Sequence, residues 1–199
     1  MKPPPGKLSA ATHGAASHQV RIIGGSYKRT KLSVANVPGL RPTPDRVRET
    51  LFNWLGQDLS GWRCVDAFAG SGALGFEAAS RGARSVLLVE IHAALVAQLR
   101  LTQARLQACA VQVQRGNGVV ALRQQAPGSL ELVMLDPPFD ADLFVPALQA
   151  ALPALVCGGF VYLEAPVRWS DADLAALGLR AQRYLKAGAV HAHLLQALP

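Results

Sequence analysis

The chain contains few cysteines and few aromatic residues. Only three of its 199 residues are cysteine, namely Cys64, Cys109 and Cys157, and no two of them form a CxxC pair. Their odd number and wide spacing argue against a disulfide framework or a zinc site, and are typical of a reducing compartment. We therefore expect a cytoplasmic protein in which each cysteine is a small buried apolar side chain.

Long hydrophobic runs are also absent. No apolar stretch reaches the roughly 20 residues of a membrane span, so we expect no membrane association. Residues 1–19 are rich in Pro, Ala, Ser and His but include charges, which is not the pattern of a secretory signal. This segment is predicted to be a disordered tail. Because 50% of all residues are hydrophobic, the rest can form one domain with a sizeable core.

Acidic residues are scarce in the first quarter of the chain. Residues 1–50 contain nine Lys and Arg against two acids, whereas residues 51–199 contain eleven of each sign. The whole net charge of +7 therefore comes from the N-terminal segment. A solvated basic face would explain a scattered excess, but one so segregated favours a polyanionic partner.

From about residue 62 the hydrophobic pattern alternates between strand-like and helix-like segments, which predicts an α/β fold with a mostly parallel sheet. Strands are predicted at 63–68, 85–90, 111–114, 130–135 and 160–164, and helices at 73–80, 93–107, 118–125, 143–155 and 171–177. The last two strands surround Lys186-Ala187-Gly188, a connection so short that they must form an antiparallel hairpin.

A small basic appendage is predicted over residues 20–60, before the main domain at 61–199. Segments 20–23 and 31–34 can pair as a hairpin around Gly24-Gly25-Ser26. A helix should follow, with Thr43 as its N-cap and Pro44 as its first residue.

Gly70, Gly72 and Gly75 form a GxGxxG pattern between the first predicted strand and helix of the main domain. Such a turn binds nucleotide cofactors, and Glu90, at the end of the next strand, can accept hydrogen bonds from ribose hydroxyls. NAD enzymes share both features. Asp66 separates the alternatives, because its carboxylate would repel a pyrophosphate but suits the ammonium and sulfonium charges of S-adenosylmethionine. Capping of the following helix is the structural alternative for Asp66.

Asp136-Pro137-Pro138-Phe139 follows the predicted buried strand at 130–135. In open α/β sheets, ligands bind at the carboxyl ends of the strands. The Asp136 carboxylate and the Pro137 carbonyl can bind both hydrogens of an exocyclic base amine and stabilise the charge that develops during methylation. Phe139 can stack on the base. A plain proline turn is the alternative. No metal-ligand cluster is visible, and methyl displacement requires none.

Three stretches together carry a family resemblance. They are Arg21-Ile22-Ile23-Gly24-Gly25, the run from Gly39 to Leu55 (GLRPTPDRVRETLFNWL), and the run from Asp66 to Gly75 (DAFAGSGALG). Combined with the DPPF segment, they resemble the bacterial small-subunit rRNA guanine-N2 methyltransferases of the RsmD type, from about Val20 to the C-terminus. The long segment before Val20 and the neutral Ile91-His92 pair depart from that pattern.

The resemblance implies a class I, Rossmann-like methyltransferase fold, S-adenosylmethionine as donor, and N2 of a guanine in 16S rRNA as acceptor, within the small subunit or an assembly intermediate. The catalytic candidates it implies are Asp136, Pro137, Pro138 and Phe139. The cofactor-binding candidates are Asp66, Phe68, Gly70, Ser71, Gly72, Glu90, Asn117, Arg41 and Thr43. The RNA-binding candidates are Lys28, Arg29, Lys31 and Arg46. Glu164, near the same sheet edge, is a candidate for the base pocket or a surface acid. The sequence shows no long apolar surface stripe of the kind that would indicate an obligate dimer, so we expect a monomer.

Three other functions compete with this one. A DNA adenine-N6 methyltransferase would usually carry a target-recognition domain, for which 199 residues leave little room. A non-catalytic RNA-binding assembly factor would not need the DPPF arrangement. A nicotinamide-dependent oxidoreductase fits the glycine turn but not Asp66.

Overall fold

A seven-stranded sheet lies at the centre of the computed structural model, which describes residues 19–34 and 43–198. The predicted tail and Arg41 lie outside these ranges, except that Gln19 already belongs to the first strand. The strands are β1 (Gln19–Arg21), β2 (Lys31–Ser33), β3 (Arg63–Asp66), β4 (Ser85–Glu90), β5 (Val111–Arg115), β6 (Leu130–Leu135), β7 (Leu155–Ala165), β8 (Leu179–Ala187) and β9 (Val190–Ala197). The helices are α1 (Asp45–Trp54), α2 (Ala73–Ser80), α3 (Ala93–Leu106), α4 (Gly118–Arg123), α5 (Phe144–Ala151) and α6 (Asp171–Ala176).

The strand order of the main sheet is β5-β4-β3-β6-β7-β9-β8. Strands β3 to β7 pair in parallel, whereas β9 pairs antiparallel with both β7 and β8. The predicted mixed sheet with an antiparallel C-terminal hairpin is therefore confirmed. The chain moves outward from β3 to β5 and then returns to the other side of β3 with β6. This reversal creates a crevice at the carboxyl ends of β3 and β6, where ligands bind in such sheets.

Apolar side chains cover both faces of the sheet. The first face packs against α1, α2 and α3, which contribute the fully buried Leu51, Phe76 and Leu99. The second face packs against α4, α5 and α6, and Leu122 of α4 and Leu148 of α5 are buried against it. Burial on both faces explains why the parallel strands have continuous apolar runs rather than alternating ones.

The N-terminal appendage is anchored to α2 by a buried carboxylate, Glu77. One oxygen accepts hydrogen bonds from the Ile23 amide at 2.8 Å and from Arg48 Nη1 at 3.3 Å. The other oxygen accepts from the Gly24 amide at 2.8 Å and from Arg81 Nε at 2.9 Å. Arg48 and Glu77 are both fully buried, and removal of one member of such a pair typically costs about 3–5 kcal/mol. The appendage is thus part of the folded unit.

The start of α1 differs from the prediction. Pro44 precedes the helix as its cap residue, and no side chain caps the helix. The predicted N-cap, Thr43, is wrong because its hydroxyl donates to Glu164 instead, at 2.6 Å. A contact 121 residues away in the chain has replaced the local one.

Two cysteines and one strand also depart from expectation. Cys64 is buried in β3, but Cys109 and Cys157 are exposed because they lie in a turn and in an irregular section of β7. Strand β7 begins at Leu155, five residues earlier than predicted, since the Gly158-Gly159 pair interrupts the apolar pattern. The helix predicted over 143–155 ends at Ala151, and a 3₁₀ turn with Pro153 follows.

No helix in the described ranges is long and apolar enough to cross a membrane.

Candidate active site

Acidic side chains mark the carboxyl ends of four adjacent parallel strands. Asp66 ends β3, Glu90 ends β4, Asp136 follows β6, and Glu164 is the penultimate residue of β7. Asp66 is paired in register with Met134, which is paired in turn with Tyr162. Because side chains alternate along a strand, Asp66, Asp136 and Glu164 project from the same face of the sheet.

The glycine turn connects β3 to α2 and is tied to the end of β4. The Gly70 amide donates to Glu90 Oε2 at 2.9 Å, and Glu90 Oε1 accepts from the His92 amide at 2.8 Å. Gly72 has a φ of +78°, and a Cβ there would lie 2.6 Å from a Leu99 methyl carbon. This turn therefore requires glycine, and Glu90 stabilises the turn as well as facing the site. The neighbouring candidates Phe68 and Ser71 are half-buried and buried, respectively.

Asp66 is only 1% exposed, and its Oδ2 accepts a hydrogen bond from the Gly75 amide at 3.0 Å. It therefore caps the first turn of α2, as the structural alternative proposed. The pKa of Asp66 is raised to about 7, first by burial and to a lesser degree by the charge of Glu90, against the opposing effect of the Gly75 hydrogen bond. Gly75 serves close helix–strand packing, since a Cβ there would lie 2.0 Å from Leu88 Cδ2.

Asn117 is exposed and caps α4, with its Oδ1 accepting from the Val120 amide at 3.1 Å. Its side-chain amide nitrogen makes no hydrogen bond to any described residue. The residue follows β5, at the same sheet edge as Glu90. The cap explains the orientation of the Asn117 side chain, and its contact to a cofactor stays a prediction.

The DPPF segment leaves β6 at the crevice. Asp136 is half-buried, and no described residue donates a hydrogen bond to its carboxylate. Pro137 is buried, Pro138 is exposed, and the Pro138 carbonyl closes a turn by accepting from the Ala141 amide at 3.1 Å. Phe139 is 41% exposed. The Asp136 carboxylate thus lies beside an exposed aromatic ring, and two prolines restrict the backbone that carries it. It is available to accept hydrogen bonds from a ligand.

The pKa of the Asp136 carboxyl is raised well above its usual range, first by burial and then by the charges of Glu164 and Asp66. A raised pKa makes this carboxylate a better proton acceptor than an exposed aspartate.

Glu164 belongs to the site, and its neighbour Tyr162 was missed from the sequence. Glu164 is 2% exposed, and its Oε1 accepts from Thr43 Oγ1 at 2.6 Å and from the Tyr162 hydroxyl at 2.9 Å. Arg48 Nε donates to the Thr43 carbonyl at 3.3 Å, which fixes the backbone at this point. The apolar pattern of β7 gave no sign that Tyr162 would face a carboxylate.

The candidate RNA-binding residues are not all at this edge. Lys28 and Arg29 lie in the hairpin turn, whose Tyr27 amide donates to Ser80 Oγ at the last residue of α2. Helix α2 begins at the crevice and has eight residues, each with a rise of 1.5 Å. The hairpin turn therefore lies roughly 11 Å from the crevice along the axis of α2. Arg46, in the first turn of α1, is exposed and three residues from Thr43.

The part of the chain that the structure describes contains no group of three or more His, Cys, Asp or Glu that could hold a metal ion. His191 and His193 share a face of β9, but both rings have other partners. His191 Nδ1 is 2.8 Å from the Tyr184 hydroxyl, and His193 Nε2 accepts from the Trp169 amide at 3.2 Å.

The chain is similar to several known proteins. It is 47% identical over 125 residues to the ribosomal RNA small subunit methyltransferase D of Escherichia coli, an alignment that covers 63% of this chain and 63% of the relative, slightly less than two thirds. It is 43% identical over 137 residues to the Haemophilus influenzae protein of the same name, covering 67% of this chain and 71% of that one.

Solved structures agree with the fold. The candidate methyltransferase yhhF from Escherichia coli superposes with a TM-score of 0.77 at 38% identity, covering 91% of this chain and 99% of that one. A Thermus thermophilus protein, TTHA0928, superposes with a TM-score of 0.72 at 27% identity, covering 88% and 98%. Residues 20–196 match one family over nearly the whole described length, so the chain belongs to the family described as Conserved hypothetical protein 95.

Proposed function

We propose that this chain transfers the methyl group of S-adenosylmethionine to the N2 amine of a guanine in the 16S rRNA of the small ribosomal subunit. The observation that carries the proposal is the position of Asp136-Pro137-Pro138-Phe139 beside the glycine turn, at the point where the strand order reverses. The names of the relatives support rRNA of the small subunit as the substrate class.

The chemistry of the crevice fits this donor. S-adenosylmethionine carries a sulfonium and an ammonium but no phosphate, and four acids converge here, namely Asp66, Glu90, Asp136 and Glu164. A pyrophosphate would be repelled by the same charges. When bound, the donor supplies an electrophilic methyl group whose bond to sulfur breaks as the bond to nitrogen forms.

Residues at the ends of three neighbouring strands can each bind a different part of the donor. We assign its methionine part to Asp66, Phe68, Gly70, Ser71 and Gly72, its ribose to Glu90 and its adenine edge to Asn117. Arg41 stays a candidate for the donor's carboxylate and lies outside the described residues. Thr43 was a second candidate there, but we now assign it to the base pocket because its hydroxyl donates a hydrogen bond to Glu164.

The acceptor is activated by Asp136 and Pro137. A guanine N2 amine is a weak nucleophile because its lone pair is delocalised into the ring. When the Asp136 carboxylate and the Pro137 carbonyl accept its two hydrogens, the lone pair turns toward the methyl group and the developing positive charge is stabilised. The amine then loses one proton, and Asp136 is the acceptor. Phe139, 41% exposed, is available to stack on the base.

The basic appendage would hold RNA phosphates, with Arg46 close to the site and Lys28, Arg29 and Lys31 on the hairpin. Such contacts position the RNA without selecting a base. We place the protein in the cytoplasm with this substrate, and we expect it to act as a monomer.

The test is methyl transfer from isotope-labelled S-adenosylmethionine to unmethylated small subunits, naked 16S rRNA, tRNA and duplex DNA, followed by nucleoside analysis. We expect label in N2-methylguanosine from 16S rRNA, in the free or the assembled form. Label in N6-methyladenine from DNA would replace the proposal with DNA methylation. Cofactor binding without label in any acceptor would support a binding-only role.

A further inference from the structure

Glu164 is held in a definite orientation beside Asp136. Leu135 of β6 pairs with Leu163 of β7, so the residues that follow, Asp136 and Glu164, are neighbours at the carboxyl ends of adjacent strands. Both hydrogen bonds that fix Glu164 reach the same oxygen, Oε1, from Thr43 and Tyr162. Among the described residues, none donates to the second oxygen, Oε2. One side of the carboxylate is therefore held by the protein, and the other is an available acceptor.

The charge of Glu164 has no direct counterion in the described ranges. Its two donors are neutral hydroxyls, and the nearby Arg48 forms its ion pairs with Asp45 and Glu77 instead. A carboxylate that is 2% exposed loses most of its solvation, so an additional hydrogen-bond donor would stabilise it strongly. The ligand of this site is the natural source of that donor.

The Watson–Crick edge of guanine supplies a donor in the right place. Its N1–H lies next to the N2 amine, so a base whose amine is bound by Asp136 and Pro137 presents N1–H to an acceptor on one side. Adenine has no such hydrogen, because its N1 is itself an acceptor beside the N6 amine. Enzymes that act on an extruded base identify it by hydrogen bonds to this edge.

We propose that Glu164 is the specificity-determining residue of the base pocket: its Oε2 accepts the N1–H of the target guanine, and Thr43 and Tyr162 position it. This inference rests on the proposed function, since it assumes that the N2 amine is the acceptor at Asp136. A base with the same amine but an acceptor at N1 would place two lone pairs against each other, and the site would reject it.

The experiment uses 2-aminopurine, which keeps the N2 amine but has an acceptor at N1. The guanine methylated by the wild-type protein is first mapped, and 16S rRNA carrying either guanine or 2-aminopurine at that position is assembled into small subunits. The wild-type protein should prefer guanine by about 100-fold or more in kcat/KM. In Glu164→Gln the carboxamide can donate to N1, so we expect about 100-fold slower guanine methylation and a preference reduced to tenfold or less.

Glu131→Gln is the matched control, because Glu131 pairs with Arg63 near the other end of β6. It should retain the wild-type preference. Thr43→Val and Tyr162→Phe, which each remove one donor to Oε1, should reduce the preference partially while S-adenosylmethionine binding is kept. These two variants decide the question if Glu164→Gln does not fold.

The outcomes separate the inference from the function beneath it. An unchanged guanine preference in the Glu164 variant, or in both positioning variants if that one does not fold, would overturn the specificity role and leave the methyltransferase intact. If the wild-type protein forms no N2-methylguanosine at all, the proposed function fails and the inference fails with it.

Discussion

Replacing Asp66 by asparagine tests how far the charge of the site opposes folding. Asp66 is 1% exposed, and burial raises the pKa of its carboxyl from 3.8 to about 7. In the unfolded chain this group ionises near pH 3.8, whereas in the folded protein it keeps its proton until about pH 7. The unfolded state therefore binds fewer protons within this window, and the stability of the folded state falls as the pH rises through it.

The change in the free energy of unfolding depends on how much of the interval between the two pKa values of Asp66 the pH crosses. From pH 5 to pH 7 the wild-type protein loses about 2 kcal/mol from this group, at up to about 1.4 kcal/mol per pH unit, and by pH 8 the loss reaches about 3 kcal/mol. Asparagine does not ionise, and its Oδ1 can still accept the Gly75 amide hydrogen bond of 3.0 Å. The variant should therefore gain about 3 kcal/mol relative to the wild type between pH 5 and pH 8.

Urea unfolding of both proteins without cofactor, at pH 5 and at pH 8, measures this double difference, in which most other titrating groups cancel. Asp58→Asn is the control, because Asp58 is exposed and hydrogen bonds from Ser60 lower the pKa of its carboxyl. It should show no comparable gain at pH 8. If Asp66→Asn destabilised the protein equally at both pH values, Asp66 would act only as a helix cap. In the predicted case, S-adenosylmethionine should bind the variant at least tenfold more weakly at pH 8.

Three further changes have defined outcomes. Asp136→Ala should abolish methyl transfer but leave S-adenosylmethionine affinity, measured by calorimetry, within about tenfold, or roughly 1.4 kcal/mol; near-normal turnover would refute the role of this acid. Neutralising Lys28, Arg29 and Lys31 together should weaken RNA binding and flatten its salt dependence, and an unchanged salt slope would mean that the hairpin does not contact RNA. Arg48→Met should lower the free energy of unfolding by about 3 kcal/mol, the lower end of the range for a buried ion pair, because Glu77 loses one of its two arginine partners but keeps Arg81; denaturation that matches the wild type would show that the network is dispensable.

The main domain was predictable because its signals are local. Asp66, the glycine turn and Glu90 lie within one strand–helix–strand unit, and the Gly70 amide meets Glu90 only 20 residues away. The need for glycine in the turn and for an acid at the end of β4 can therefore be read from this unit without knowledge of the rest of the fold. For the same reason the parallel sheet and the C-terminal hairpin were predicted correctly, while β7 was predicted too short because Gly158-Gly159 hides its beginning.

The part of the crevice formed by Thr43, Tyr162 and Glu164 could not be predicted in the same way, because distant segments assemble it. Thr43 has the residue type, and the position before a proline, that favour a helix cap, and only the packing of α1 on the first face of the sheet brings it to Glu164. That packing depends on Arg48, whose guanidinium group contacts both the Thr43 carbonyl and Glu77. A hydroxyl that would add about 1 kcal/mol as a local cap is used instead to orient a buried carboxylate. Thr43 therefore departs from its local N-cap preference at a point close to Asp136, the candidate catalytic acid. Such departures are expected at functional sites.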